Sequence, residues 1–243
     1  MKFVFIFILF FQLIACSSQN EVLDKIHGYT MGTSYSVQWR SLASVNSIDA
    51  QANIDQILQM VNQQMSTYQA DSELSTFNAA TPPYEQEISP QLFDVLKQSF
   101  SLYELTGGYF DISVGPIVNL WGFGPDKMPT QLPTQDLIEK AQARVGLMDV
   151  SLGEQSVKKV KQRYLDLSAI AKGYAVDLVA DFLETQGIEH YLVEIGGEMR
   201  VKGRKSAAKP WRVAVEKPDE NQRSVQKVIE MKTGAMATSG DYR

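Results

Sequence analysis

The stretch "HYLVEIGGEMRVKG", residues 190–203, contains two short runs of alternating apolar and polar residues on either side of two glycines. Alternation with a period of two predicts β-strands, and the glycines predict the turn between them. Three similar runs follow, "WRVAVEKP" (211–218), "SVQKVIEM" (224–231) and "GAMATSGDY" (234–242). The last part of the chain is therefore predicted to form a largely antiparallel sheet.

Helical patterns dominate the part of the chain that precedes these strands. Apolar residues at helical spacing, N-cap residues and terminal glycines predict four helices. Their predicted ranges are 47–65, 89–107, 134–146 and about 168–187, and one strand is predicted earlier, over 28–39. Helices that cluster early and strands that cluster late indicate an α+β fold, with the early helices packed on the sheet.

The first sixteen residues, "MKFVFIFILFFQLIAC", differ in composition from the rest of the chain. Their apolar run is too short to span a bilayer but matches the core of a signal peptide. The small residue before Cys16 resembles a bacterial lipobox. We expect a lipoprotein signal peptide over 1–15, a lipidated Cys16, a tether over 16–27 and a folded domain over 28–243. An uncleaved anchor helix and a plain secretory signal are the alternatives.

Composition and motifs exclude several functions. A formal net charge of −5 without a basic cluster argues against a nucleic-acid partner. Two histidines and one cysteine are too few for the usual zinc sites and disfavour a Ser-His-acid triad. Neither of the standard glycine-rich loops that bind nucleotide phosphates is present.

The stretch "LDLSAIAKGYAVD", residues 165–177, is predicted to change from strand to helix. We expect Asp166 to point away from the core, opposite to Leu165 and Leu167, and Ser168 to cap the helix. Free N–H groups at a helix start attract phosphates, and Lys172 strengthens that field. Asp166 would repel a phosphate unless a divalent cation or ligand hydroxyls balanced its charge. The alternative is a surface ion pair between Asp166 and Lys172.

A second stretch, "TGGYFDISVGPIVNLWGFG" (106–124), combines glycines with aromatic residues. Close backbone approach and flat side chains suit a planar ligand, although ordinary turns and cores use the same residues. Asp111 lies in an otherwise apolar run, so its burial requires a partner. Met31 and Tyr68 add soft and aromatic surfaces, for which core packing is the alternative.

Together these segments resemble the ApbE family of FAD:protein FMN transferases. The matching stretches occur in the family's order; they are "TMGTSYSV", "MSTYQADSELSTFN", "GGYFDISVGPIVNLWGFG", "LDLSAIAKGYAVD", "YLVEIGGEMRVKG" with "WRVAVEKP", and "ATSGDYR". The resemblance implies a single, T-fold-like catalytic domain over 28–243. It also implies that FAD is cleaved, AMP is released and FMN is joined through a phosphoester bond to a threonine of an acceptor protein, with Mg²⁺ as cofactor.

The resemblance also assigns site residues. The residues implied to bind FAD are Met31, Tyr68, Tyr109, Phe110, Asp111, Asp166 and Lys172. The backbone carbonyl of Ala169 would be one metal ligand. Glu194 and Glu198 lie in a shared segment, but no role follows for them, and a loop exposed at the sheet edge is an equal alternative. No catalytic residue is assigned.

Family members continue past the "SGDY" segment into a stretch with a histidine, an aspartate and a threonine that complete the metal site. We therefore expect the fold to be incomplete at its C-terminus and the 243 residues alone to be inactive, in contrast to the complete protein. The resemblance implies export, a lipid anchor in a bacterial membrane facing the periplasm, and threonine-bearing subunits of membrane redox complexes as acceptors. Whether that membrane is the inner or the outer one is left open, with Ser17 favouring the outer.

Three rival functions remain open at this point. A magnesium-dependent FAD pyrophosphatase would use nearly the same binding residues and give FMN and AMP. A lipid-anchored flavin-binding protein would bind FAD without chemistry. A purely structural lipoprotein would leave Asp111, Asp166 and the glycine-aromatic stretch unexplained.

Overall fold

The computed structural model describes residues 21–42, 47–126, 128–218 and 224–239. The helices are α1 (Ser47–Met65), α2 (Glu73–Ala79), α3 (Pro90–Leu105), α4 (Gly115–Leu120), α5 (Gln135–Gln142) and α6 (Ala171–Thr185). The strands are β1 (Glu21–Thr30), β2 (Thr33–Leu42), β3 (Tyr84–Glu87), β4 (Val150–Leu152), β5 (Ser156–Lys159), β6 (Tyr191–Ile195), β7 (Glu198–Lys202), β8 (Trp211–Glu216), β9 (Val225–Met231) and β10 (Gly234–Met236). Short 3₁₀ turns cover Ile112–Val114 and Leu147–Asp149.

The main sheet has five strands in the order β1-β2-β6-β7-β10, and each neighbouring pair is antiparallel. Helices α1 and α6 pack on one face, where Tyr191, Val193 and Ile195 of β6 join the main core. Because side chains alternate along a strand, Leu192 points to the other face and packs with Trp211 of the β8–β9 hairpin. The predicted α+β fold is confirmed, as are the five late strands, β6 to β10.

The single strand predicted over 28–39 is wrong, because this stretch contains the end of β1, the β1–β2 turn and most of β2. Strands β1 and β2 pair along their whole length and are joined by a two-residue turn, Met31-Gly32. Both turn residues have positive φ, 50° and 71°. The period-two pattern continues across so short a turn, so alternation alone does not reveal it. Residues 21–27, which were expected in the tether, belong to β1.

The four predicted helices are present, with one change at a start. Helix α1 begins at Ser47 and buries Ile54, Leu58 and Val61. The Ser89 hydroxyl caps α3 by accepting a hydrogen bond from a backbone N–H. The fourth helix, α6, begins at Ala171 instead of 168, and no side chain caps it. The proposed cap by Ser168 is therefore wrong.

Three small elements were not predicted. They are the seven-residue helix α2, the six-residue helix α4 and a second sheet in the order β3-β5-β4. The helices are shorter than the window of about 11 residues in which helical periodicity is recognised, and the strands are at or below the shortest recognisable alternation of about four residues. Helix α2 nevertheless has a clear N-cap, because the Ser72 hydroxyl accepts from the Ser75 N–H at 3.0 Å.

Within the ranges described, no helix is both long and apolar enough to cross a bilayer. The signal peptide predicted over 1–15, Cys16 and the first five residues of the tether lie outside those ranges. So do residues 240–242, which end the predicted run "GAMATSGDY".

Candidate functional site

A cavity of about 760 Å³ opens between the β1–β2 turn, the end of α1 and the start of α6. Three of the predicted FAD-binding residues line it, namely Met31 from the turn, Tyr68 after α1 and Lys172 from α6. They are more than thirty residues apart in sequence, and the fold brings them together at one cavity. Met31 and Gly32 both have positive φ, and their turn forms part of the cavity wall.

Two exposed aromatic residues, Tyr68 and Phe123, line this cavity. Tyr68 is 66% exposed and Phe123 is 69% exposed, and the Tyr68 hydroxyl donates to the Phe123 carbonyl at 3.2 Å. The Ser66 hydroxyl holds the turn by accepting from the Tyr68 N–H at 3.0 Å. Phe123 was not among the predicted binding residues, although it lies in the glycine-aromatic stretch. The pair offers an accessible flat surface beside the polar start of α6.

The predicted strand at the strand-to-helix junction is extended chain without a neighbouring strand. The side-chain amide of Asn78, at the end of α2, replaces that neighbour. Its Nδ2 donates to the Leu165 carbonyl, and its Oδ1 accepts from the Leu165 N–H, both at 2.8 Å. Asn78 is buried, so these bonds fix the position of Leu165 and of the residues that follow.

Replacing Asn78 by alanine is expected to lower the free energy of unfolding by about 2 kcal/mol, because two buried hydrogen bonds worth about 1 kcal/mol each are lost. Urea unfolding measures this loss. Asn53→Ala is the matched control, since Asn53 is exposed on α1 and bonds only the Asp49 carbonyl. Equal effects of the two substitutions would contradict the role of Asn78 in fixing the position of Leu165.

Asp166 is buried, with 6% of its surface exposed. The 3₁₀ turn after Asp111 covers it, and the Asp166 N–H donates to the Ile112 carbonyl at 2.8 Å. Approach is close here, because a Cβ on Gly115 would lie 3.3 Å from the Asp166 Cβ. Its Oδ1 accepts from the Ser168 N–H at 2.7 Å, whereas its Oδ2 has no hydrogen-bond partner among the described residues.

Asp111 has the partner that its apolar surroundings required. Its Oδ1 accepts from both the N–H and the hydroxyl of Ser113 at 2.7 Å, which caps the 3₁₀ turn. Phe110 packs against the main core, and Tyr109 is 98% exposed. None of these three residues lines the cavity. Their segment meets the site through the Ile112–Asp166 hydrogen bond.

Lys172 pairs with Glu198, and the expected alternative of an Asp166–Lys172 pair is not found. Lys172 Nζ lies 2.9 Å from Glu198 Oε2. Glu194 Oε1 accepts from the Gly197 N–H at 2.8 Å, and burial raises the pKa of the Glu194 carboxyl above its usual range. The turn between β6 and β7 joins two inner strands of the five, so the alternative of a loop at the sheet edge is wrong.

The residues at the junction fit part of a cation site. Ala169 lies in the exposed turn between Asp166 and α6, and the free, buried Oδ2 of Asp166 is the kind of atom that a cation or a ligand hydroxyl would satisfy. No group of three His, Cys, Asp or Glu side chains close enough to hold a metal occurs in the described part of the chain. Any ligands beyond the junction would have to come from outside it.

Comparison with known proteins gives consistent matches over nearly the whole chain. The profile of the ApbE family matches residues 31–243. A "FAD:protein FMN transferase" of Vibrio cholerae is 46% identical over 235 residues, which are 95% of this chain and 70% of that protein. A protein of the same name from Haemophilus influenzae is 42% identical over 240 residues, 95% of this chain and 69% of its own length.

Solved structures agree with this. "Flavin Transferase ApbE from Vibrio cholerae" matches with a TM-score of 0.85 and 45% identity, over 92% of this chain and 73% of that one. The apo flavinyl transferase ApbE of Pseudomonas stutzeri matches with a TM-score of 0.82 and 33% identity, over 91% and 70%. Fold, motif order and identity all agree, and the chain belongs to the ApbE family.

Proposed function

We propose that this protein is an enzyme that cleaves FAD and transfers FMN to an acceptor protein, releasing AMP. Its family and the names of its relatives support this reaction. The observation that carries the proposal is the buried Asp166 carboxylate, with one oxygen free, two residues from a cavity wall that also presents Lys172. A buried carboxylate that precedes a helix start, with an ammonium in the first turn of that helix, suits a ligand with both hydroxyl and phosphate groups.

The described side chains have separate parts in binding this ligand. The ammonium of Lys172 would attract the pyrophosphate as a compact charge, together with the free N–H groups at the start of α6. Tyr68 and Phe123 offer flat faces for a ring system, and Met31 adds a polarizable contact. We also include Tyr109, Phe110 and Asp111 in the proposed FAD site, on the side where their segment contacts Asp166.

We further propose Mg²⁺ as the cofactor, with the Ala169 carbonyl as one ligand. When bound, the ion would supply positive charge that offsets repulsion between Asp166 and the phosphates and polarises the pyrophosphate. The free Asp166 oxygen and the exposed Ala169 turn fit this role in part. A threonine hydroxyl of the acceptor is the proposed site of attachment, through a phosphoester bond.

Export and a lipid anchor at Cys16 are also part of the proposal. The apolar N-terminal run and the lipobox-like sequence before Cys16 support them. A single acyl chain anchors a protein weakly, whereas two or more give stable attachment. The protein would then face the periplasm, close to membrane redox subunits as threonine-bearing acceptors.

Mass spectrometry of a threonine-bearing acceptor subunit after incubation with FAD and Mg²⁺ tests the function. We expect the mass of the acceptor to increase by one FMN group and AMP to be released, and we expect neither with a Thr→Val acceptor. Free FMN and AMP without a labelled acceptor would indicate a pyrophosphatase. Intact FAD would indicate a binding protein.

A further inference from the structure

The ion pair between Lys172 and Glu198 lies at the wall of the cavity. Lys172 is the second residue of α6, where the partial positive charge of the free N–H groups disfavours a cation. Its side chain is also a flexible four-carbon stem that would otherwise extend into solvent. Both side chains are partly buried, and Nζ lies 2.9 Å from Oε2. Glu198 therefore balances the positive charge of Lys172, which the N-terminal end of α6 disfavours.

The backbone that carries Glu198 is held firmly. Gly196 and Gly197 have φ values of 55° and 99°, and the Gly197 N–H donates to Glu194 Oε1. A Cβ on Gly196 would lie 2.6 Å from Thr33 Cγ2, so this turn packs closely against the residue that follows the β1–β2 turn. Glu198 is the first residue after it, and the turn fixes its starting position.

The helix that carries Lys172 is fixed to the same strand. Arg200 of β7 lies two residues after Glu198, and its guanidinium reaches α6. Nη1 lies 2.9 Å from Asp181 Oδ1, and Nη2 lies 3.1 Å from Glu184 Oε1. The two partners of the Lys172–Glu198 pair therefore sit on elements that are tied together, which limits how far their charged groups can separate.

We propose that Glu198 is a positioning residue that holds the Lys172 ammonium at the cavity wall, ready for the phosphates of the substrate. Nζ contacts Glu198 Oε2 as an ion pair without a hydrogen bond of good geometry, so the three donors of the ammonium stay available for a phosphate. Glu198 itself does not touch the substrate; it acts through Lys172. This inference rests on the proposed function, because the target of Lys172 is the pyrophosphate of FAD.

A double-mutant cycle on FAD binding tests this, with Mg²⁺ present and flavin fluorescence as the readout. We expect Glu198→Ala to weaken binding about tenfold, as loss of a supporting partner typically does. In a Lys172→Ala background, the same substitution is expected to change nothing further, since the residue through which it acts is gone. Asp136→Ala is the control, because it breaks an exposed ion pair on α5 and should leave binding unchanged.

Glu198→Gln is the second variant, because it keeps size and an acceptor oxygen. We expect about a threefold loss, intermediate between the wild type and Glu198→Ala, and again none in the Lys172→Ala background. Equal losses in both backgrounds would mean that Glu198 is only structural, and an unchanged affinity would also overturn the proposal. If instead the wild type binds no FAD, or Lys172→Ala binds it as well as the wild type does, the proposed function itself fails.

Discussion

Replacing Asp166 by alanine is expected to weaken the binding of FAD in the presence of Mg²⁺ about 100-fold, because interactions made by a charged, buried group are worth about 1.5–3 kcal/mol each. The Asp166 carboxylate is already desolvated and has one oxygen without a partner, so bound ligand or cation would satisfy it at little further cost. Titration of FAD against the purified protein, followed by flavin fluorescence, measures the change.

Asp166→Asn separates charge from shape in this experiment. The asparagine carbonyl can still accept from the Ser168 N–H, which Asp166 Oδ1 does at 2.7 Å. We expect this variant to bind nearly as weakly as Asp166→Ala, and we expect a chelator to weaken the wild type to the same level. Wild-type affinity that is unchanged both by chelator and by Asp166→Ala would place the FAD site elsewhere.

Lys159→Ala is expected to lower the free energy of unfolding by about 4 kcal/mol, the largest effect on stability that we predict. Lys159 ends β5 and is 0% exposed. Its Nζ donates to the carbonyls of Phe77 at 2.6 Å and Asn78 at 3.0 Å, and it lies 4.9 Å from the centre of the Phe77 ring. The substitution removes the ammonium donor from the Phe77 carbonyl, leaves the Asn78 carbonyl with only its bond from Gln162 Nε2 among the described side chains, and opens a cavity.

The preceding residue gives the matched control for urea unfolding. Lys158 is exposed on the same strand, so Lys158→Ala should change the free energy of unfolding by less than about 0.5 kcal/mol. Lys159→Met keeps the apolar stem and should recover part of the loss. A loss after Lys159→Ala no larger than that after Lys158→Ala would contradict the role assigned to the buried ammonium.

The Lys159 side chain also predicts a pH dependence. Burial lowers the pKa of Lys159 from its usual 10.5 to about 8. Between these values the unfolded chain binds a proton that the folded chain does not, so stability rises with pH. Relative to Lys159→Met, the wild type should gain about 2 kcal/mol between pH 8 and pH 10. A parallel pH dependence of the two proteins would contradict the lowered pKa.

The sequence predicted most of the long elements because their periodicity follows directly from local geometry. Helices α1 and α3 and the paired strands β6 and β7 each carry a full period and a stop signal. The β1–β2 turn was missed because two residues do not interrupt an alternating pattern. Helix α6 starts later than predicted, because Ser168 does not cap it. Instead, the Ser168 N–H donates to the Asp166 side chain in the turn before the helix.

The site was predictable only in part. Met31, Tyr68 and Lys172 share one cavity, and their role in binding FAD stays a prediction. The residues that support them could not be predicted from the sequence. Asn78 bonds Leu165 across 87 positions, and Glu198 contacts Lys172 of α6 from strand β7. Such contacts depend on tertiary packing, and no local pattern encodes them. The burial of Asp166 also depends on tertiary packing, because the 3₁₀ turn after Asp111 covers it.

The length of strand β1 separates the proposed lipid anchor from the cavity. Strand β1 has ten residues, which span about 33 Å, and the cavity lies at its turn end, whereas the chain enters the sheet at Glu21. Only residues 17–20 separate Cys16 from that entry point. If lipid holds the chain there, the proposed flavin site lies at the far end of this strand of the main sheet. An acceptor threonine on a mobile segment well above the bilayer could then reach it, whereas one at the headgroups could not unless the sheet lay flat.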